Sequence, residues 1–275
     1  MLFDTHTHLN DEYMTAEERS QLAAEIAESD LAYIIDAGAS LENSKQAIQD
    51  AEDYDWCYAT VGIHPEYARS TTDADLEVIR QLAAHPKAVS IGECGLDFHE
   101  GKEDEAEQIE LFRKQIRLAN ELKMPLMIHS RDASQLTMDI LKEEGAFSQE
   151  RKSWFPKRKG PNGEFCDDAR VQIHCFSGSP ELAEEYIKLG ATISIGGPIT
   201  FKNGKKVVEV FKQIPIEFVM SETDAPYMAP EPYRGRPNKP YYVEHVVRRM
   251  SELKELSYEE TSDILFNNAK HFFNI

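Results

Sequence analysis

The 275-residue sequence predicts an α/β protein built as a (β/α)8 TIM-like barrel, with residues 1–275 forming a single domain. Three observations predict it. Short apolar runs alternate with polar, amphipathic stretches from one end to the other, the rhythm of parallel strands joined by helices. There are eight such runs over roughly 250 residues, the usual size of this barrel. No GxGxxG turn follows the first run, which weakens the case for an open doubly wound sheet.

The elements follow in order. Leu2–Leu9 is the first strand and Thr15–Ser29 the first helix; Leu31–Asp36 and Leu41–Asp53 form the second unit. Cys57–Ile63 leads to a helix over Asp73–Ala84, and Ala88–Glu93 to one over Glu103–Leu122. That helix has the clearest period, with Ile109, Phe112, Ile116, Ala119 and Leu122 at spacings of three and four. Pro125–His129 precedes Ala133–Glu144, and Arg170–Cys175 precedes Pro180–Leu189. Ala191–Ile195 and Glu217–Ser221 complete the strands, and Tyr241–Leu253 and Ser257–Phe266 read as closing helices. The rhythm breaks at about 146–169, where Trp154, Pro156, Gly160, Pro161 and Gly163 leave no readable element, so this interval is expected to be a surface insertion. Its stretch Arg151–Lys159 carries five cations and no acid. Because it follows a helix and precedes a strand, it is expected at the bottom of the barrel, as a solvated or subunit-contacting decoration.

Composition narrows the function. At 41% hydrophobic and 29% charged, the chain is expected to be a soluble globular enzyme rather than disordered or membrane-spanning. The N-terminus has no basic segment followed by an apolar stretch, and the four cysteines lack CxxC spacing, so a reducing cytoplasmic setting is expected. No obligate protein partner is evident. A net charge of −19 argues against wrapping long duplex DNA, which needs a basic footprint. A nucleic-acid substrate would have to be gripped locally, through metal ions.

The metal-capable residues recur at strand ends. His6 and His8 end the first strand, Glu93 the fourth, His129 the fifth and His174 the sixth, and Asp224 follows the eighth. In a barrel the carboxyl ends of all strands open on one face, where the active site lies. His6 and His8, two apart on a strand, point to the same side and can share one ion. Four histidines with two acids suit two divalent cations about 3.5–4 Å apart, with Glu93 as the shared carboxylate. Such a pair would activate a water for attack, with Asp224 orienting it or taking its proton and Glu222, on the same side of the strand, in a supporting or proton-shuttling role. His64, Arg131 and Arg236 are the expected contacts to substrate, Arg236 within a basic Arg234–Lys239 segment. Asp97 reads as structural or supporting, and Cys94 and Cys175 as small core fillers turned away by strand alternation.

These motifs resemble a known family. Phe3-Asp4-Thr5-His6-Thr7-His8, Gly62-Ile63-His64-Pro65, Gly92-Glu93-Cys94-Gly95-Leu96-Asp97, Ile128-His129-Ser130-Arg131, His174-Cys175-Phe176-Ser177-Gly178 and Glu222-Thr223-Asp224-Ala225-Pro226-Tyr227 are similar to those of the TatD-type metal-dependent hydrolases, a branch of the amidohydrolase-like metal barrels. The resemblance implies a deoxyribonuclease supported by Mg²⁺, often 3′-to-5′ on single-stranded DNA ends, with metal ligands at His6, His8, Glu93, His129, His174 and Asp224. The histidine-rich set accepts Mn²⁺ or Zn²⁺ as readily as Mg²⁺. An amidohydrolase-type hydrolase of C–N or ester bonds, such as an aminoacyl-tRNA deacylase, is the alternative.

Overall fold

The computed structural model describes residues 1–275. Eight parallel strands follow each other in chain order around a nearly closed barrel: β1 (Leu2–Thr7), β2 (Leu31–Ala37), β3 (Cys57–Val61), β4 (Ala88–Asp97), β5 (Leu126–Arg131), β6 (Val171–Ile173), β7 (Thr192–Ile195) and β8 (Val219–Ser221). Between and after them lie α1 (Ala16–Ala27), α2 (Leu41–Asp53), α3 (Asp73–Leu82), α4 (Glu105–Leu122), α5 (Ser134–Glu143), α6 (Gln149–Ser153), α7 (Pro180–Leu189), α8 (Lys205–Gln213), α9 (Val243–Lys254) and α10 (Tyr258–Phe273). Local chemistry starts several of these helices: Thr15 and Thr72 form capping boxes with Glu18 and Asp75, and Ser179 caps α7 with Pro180 at its first turn. A main cluster of 54 buried side chains fills the space between barrel and helices. A second cluster gathers Phe266, Phe272 and Phe273 of α10 against Phe3, Met127 and Met220 of the strands, and so plugs the end where β1 begins.

Two elements depart from the sequence expectation. Helix α8 has no counterpart in it, because the short run Lys205–Gln213 contains three valines, which favour strands. Burial of Val207, Val210 and Phe211 on one face reveals the helical period. The interval 146–169, read as free of elements, folds into α6 and a small antiparallel hairpin of Arg158–Lys159 with Phe165–Cys166.

The charge of that interval is also corrected, since two of its five cations are anchors. Arg151 is fully buried and donates to the carbonyls of Ala169 (2.8 Å) and Met124 (2.8 Å) and to Asn120 Oδ1 (2.8 Å). Arg158 donates to Thr192 Oγ1 (2.6 Å) and the Ala191 carbonyl (2.7 Å), with its guanidinium 4.4 Å from the Phe218 ring centre. These acceptors precede or begin β5, β6 and β7, so the interval closes the bottom of the barrel.

The barrel seam lies between β8 and β1 and is held largely outside a regular ladder. Asp224 N–H donates to the His6 carbonyl (2.9 Å) and His8 N–H to the Ala225 carbonyl (2.8 Å). The buried Asp4 carboxylate accepts from the Thr223 N–H (2.8 Å) and hydroxyl (2.5 Å). The closure therefore sets Asp224 beside His6 and His8 through the backbone.

Candidate metal centre

The strands deliver the six predicted ligands to one end of the barrel, but β4 does so by an irregularity. Its pairing with β5 shifts register between Ile91 and Cys94, a bulge that re-aims Glu93. Gly92 (φ 135°) and Gly95 (φ 149°) flank it, and a Cβ on either would lie 2.3 Å from the Met127 oxygen or 1.9 Å from the His129 oxygen. Only glycine lets β4 lie this close to β5 on both sides of Glu93. The strand continues past its expected end to Asp97, which faces the same mouth.

Two sets of donor atoms result, one on each oxygen of Glu93. Glu93 Oε2 lies 3.6 Å from His6 Nε2 and 3.7 Å from His8 Nε2, and these two nitrogens are 3.1 Å apart. Asp224 Oδ1 is 3.5 Å from each of them. Glu93 Oε1 lies 3.0 Å from His129 Nδ1 and 2.9 Å from His174 Nε2, which are 3.3 Å from each other. Donors of a tetrahedral ion at about 2.1 Å sit about 3.4 Å apart, so the spacing and the N/O chemistry of both sets fit a divalent cation.

Surrounding groups choose which nitrogen faces inward. His8 Nδ1 donates to the Ala37 carbonyl (3.0 Å) and leaves Nε2 free; His129 Nε2 donates to Asp97 Oδ2 (2.9 Å) and leaves Nδ1 free. His6 Nδ1 lies 3.0 Å from the Met127 sulfur. The electrostatics follow the same contacts. Burial alone would raise the Glu93 carboxyl, but His174 and His6 beside it take it well below the usual carboxylate range. Burial works against charging His8 and His129 too, yet the carboxylates of Asp224, Glu93 and Asp97 bring both up to about 9. His6, fully buried and next to His174, is driven well down.

The supporting residues are placed as follows. Glu222 is wholly buried behind His174 and outside the mouth: its Oε1 accepts from the Cys175 N–H (2.6 Å), its Oε2 from the Ser194 hydroxyl (2.6 Å), and burial lifts its pKa to about 7. His64 does line the mouth. Its Nδ1 accepts from the Glu66 N–H (3.2 Å), so its proton resides on Nε2, 3.9 Å from Glu93 Oε1. Burial and the neighbouring His129 hold its pKa down at about 3, so it is neutral at pH 7.

The mouth is a cavity of about 840 Å³ with walls of opposite charge. Asp11, Glu12 and Glu66 line it after β1 and β3, and Arg131 at the end of β5 and Lys206 after β7 line it across the barrel in strand order. Arg131 is exposed, and the acid that follows it, Asp132, pairs with His99 (3.2 Å) instead. Arg236 is exposed but does not line the cavity. Lys239 is turned away from it and bound to Glu25 (2.5 Å). Cys175 is not a core filler: its positive φ of 44° breaks the strand alternation and brings it into the lining, while burial drives its thiol well up, away from a nucleophilic thiolate. Lys206 and the exposed Tyr13 also line the mouth and carry no signal in the sequence, Lys206 on the unrecognised α8 and Tyr13 in a loop without period, while the exposed Tyr227 ends the Glu222–Tyr227 motif.

Comparisons with known proteins agree with this arrangement. The TatD-related DNase family matches residues 3–274. The uncharacterized metal-dependent hydrolase YabD of Bacillus subtilis is 41% identical over 275 residues, covering 100% of both chains. The 3′-5′ ssDNA/RNA exonuclease TatD of Erwinia tasmaniensis is 30% identical over 266 residues, covering 94% of this chain and 95% of the other. The crystal structure of YJJV, a TatD homolog from Escherichia coli, superposes with a TM-score of 0.83 at 28% identity, covering 100% of this chain and 98% of that one.

Proposed function

The chain belongs to the TatD-related DNase family of metal-dependent hydrolases, and from that premise we propose that it is a deoxyribonuclease removing nucleotides from the ends of single-stranded DNA. The exonuclease named among its relatives supports a nucleic-acid substrate. The observation that carries the reading is the two-sided placement of Glu93, with Oε2 toward His6 and His8 and Oε1 toward His129 and His174. Asp224 joins the first set. Two divalent cations held there would lower the pKa of a water and neutralise charge on the phosphoryl group.

The chain's own groups supply the rest. Asp224, its carboxylate 3.5 Å from both His6 and His8, accepts the proton of the attacking water. Neutral His64 presents its Nε2 proton to a phosphoryl oxygen, and Arg131 and Lys206 offset the charge of the scissile group from the opposite wall. Asp97 fixes the His129 ring. Glu222 holds the Cys175 amide beside His174 and so positions that ring.

The test is a panel on one preparation. A 3′-labelled single strand, a phosphodiester model compound and an aminoacyl ester are each incubated with Mg²⁺, Mn²⁺ or Zn²⁺, and bound metal is counted by elemental analysis. We expect two ions per chain, stepwise shortening of the strand, and a loss of at least about a thousandfold in kcat/KM for Glu93→Ala, which removes a ligand from both positions. The acidic wall of Asp11, Glu12 and Glu66 suits an ammonium-bearing substrate and favours the second reading, an ester or C–N hydrolase. Rapid ester turnover with no strand shortening under any metal selects it and overturns the nuclease.

A further inference from the structure

A second cleft adjoins the mouth. It has a volume of about 570 Å³ and lies between the Thr200–Lys205 turn and α9. Gly204 lines both cavities, so the two adjoin on either side of this turn. Four cations, Lys202, Lys205, Arg248 and Arg249, face the cleft against two carboxylates, Glu231 and Glu252, in a chain whose net charge is −19. Arg248 and Arg249 are bound by Glu244 and Glu252 on their own helix, whereas exposed Lys202 and Lys205 have no carboxylate within ion-pairing reach.

The turn is built as a cationic saddle. Asn203 and Lys206 face the mouth while Lys202 and Lys205 face the second cleft. Arg234 braces it, its guanidinium 4.0 Å from the centre of the Phe201 ring and donating to Asn203 Oδ1 (3.0 Å). Phe201 and Val208 are the only hydrophobic residues of the lining, which is poor in apolar surface for a lipid or an aromatic ligand. On the far side of the mouth Asp11, Glu12 and Glu66 repel a polyanion.

We propose that this cleft is a second phosphate-binding station, which holds the backbone of a single-stranded polynucleotide several nucleotides away from its reacting end. A strand seated at the metal centre leaves over the Gly204 saddle, passing Lys206 and Arg234 and then Lys202 and Lys205. The proposal rests on the nuclease reading, and it makes the enzyme read strand length.

Binding in EDTA, where no cleavage occurs, tests it independently of catalysis. A fluorescein-labelled single strand of about twelve nucleotides is titrated into wild type, the double reversal Lys202→Glu/Lys205→Glu, and a charge-matched control, Lys123→Glu/Lys159→Glu, two exposed lysines at the closed bottom of the barrel. We expect the Lys202/Lys205 variant to lose about tenfold in affinity at low salt and its salt slope to become shallower by about 1.4, the value for two single-strand phosphate contacts. The control keeps the wild-type slope, and the loss grows from a dinucleotide to the longer strand. Equal losses in both double variants, or an unchanged slope at Lys202/Lys205, overturn the station while leaving the nuclease standing. Inorganic phosphate binding as tightly as the strand assigns the cleft to a small anion instead. A wild-type protein that binds no strand, alongside a metal panel without cleavage, overturns both readings together.

Discussion

At the scale of single residues, the centre depends on which atoms are left free. His8 and His129 each give one ring nitrogen to a fixed acceptor, Ala37 and Asp97, and offer the other to the cavity. Their spacing at strand ends was legible in the sequence, because a strand has a period of two and a barrel has one active face. Of their orienting partners, Ala37 was not legible, since it contributes only a carbonyl, whereas Asp97 reads as a supporting residue and its pairing with His129 follows only once β4 and β5 pair. The same contacts set a pH dependence. In the metal-free protein both imidazoles are raised to about 9, so they are protonated at pH 7, whereas a ligating nitrogen must be neutral. Metal uptake must therefore expel protons, and apparent affinity rises from pH 6 to pH 9 and levels off above. Calorimetric titration of Mn²⁺ in buffers of different ionisation enthalpy measures the protons released; an affinity flat over that range contradicts the assignment of these two nitrogens.

Among the elements, the interval 146–169 differs most from its sequence pattern. A run of arginines and lysines with prolines and glycines reads as a solvated loop, because sequence reports a charge without its environment. In the fold, Arg151 occupies the space behind β5 and β6 and satisfies carbonyls that no helix or strand serves, while Arg158 does the same for β7. Arg151→Ala removes these donors and leaves the Ala169 and Met124 carbonyls buried without partners. We expect a loss of about 3 kcal/mol in unfolding free energy by denaturant titration, because buried acceptors and a cavity act together. Metal stoichiometry at the opposite end should remain at the wild-type value. A change below about 0.5 kcal/mol would show that the interval is not an anchor. Helix α8 teaches the converse lesson. Its valines favour a strand locally, and burial of one face between α7 and α9 overrides that preference.

For the whole molecule, a charge of −19 coexists with a local supply of positive potential at the mouth. Arg131 and Lys206 stand on one wall, the saddle cations lie beyond it, and the metal centre between them would add more. The acidic remainder opposes any long, rigid polyanion that must lie across the surface. We therefore expect blunt internal duplex to bind at least about tenfold more weakly than a single strand of equal length near 0.1 M salt, as read by anisotropy with a catalytically inert metal. Equal affinity for the two would show that the acidic surface does not discriminate. No helix of the chain is long and apolar enough to cross a membrane. By itself the sequence determined the alternation of eight strands with helices, the strand ends on which the histidines and acids fall, and the order in which they meet the active face. These are periodic or local properties, written at spacings of two to four residues and at turns. Tertiary structure alone decided which oxygen of the shared Glu93 faces which histidine pair, that Glu222 is sealed behind His174, that Cys175 joins the lining, and that Arg151 and Arg158 of the basic interval are anchors. Each of these depends on contacts between strands and loops far apart in the chain, where pairing register and burial rather than residue type select the outcome.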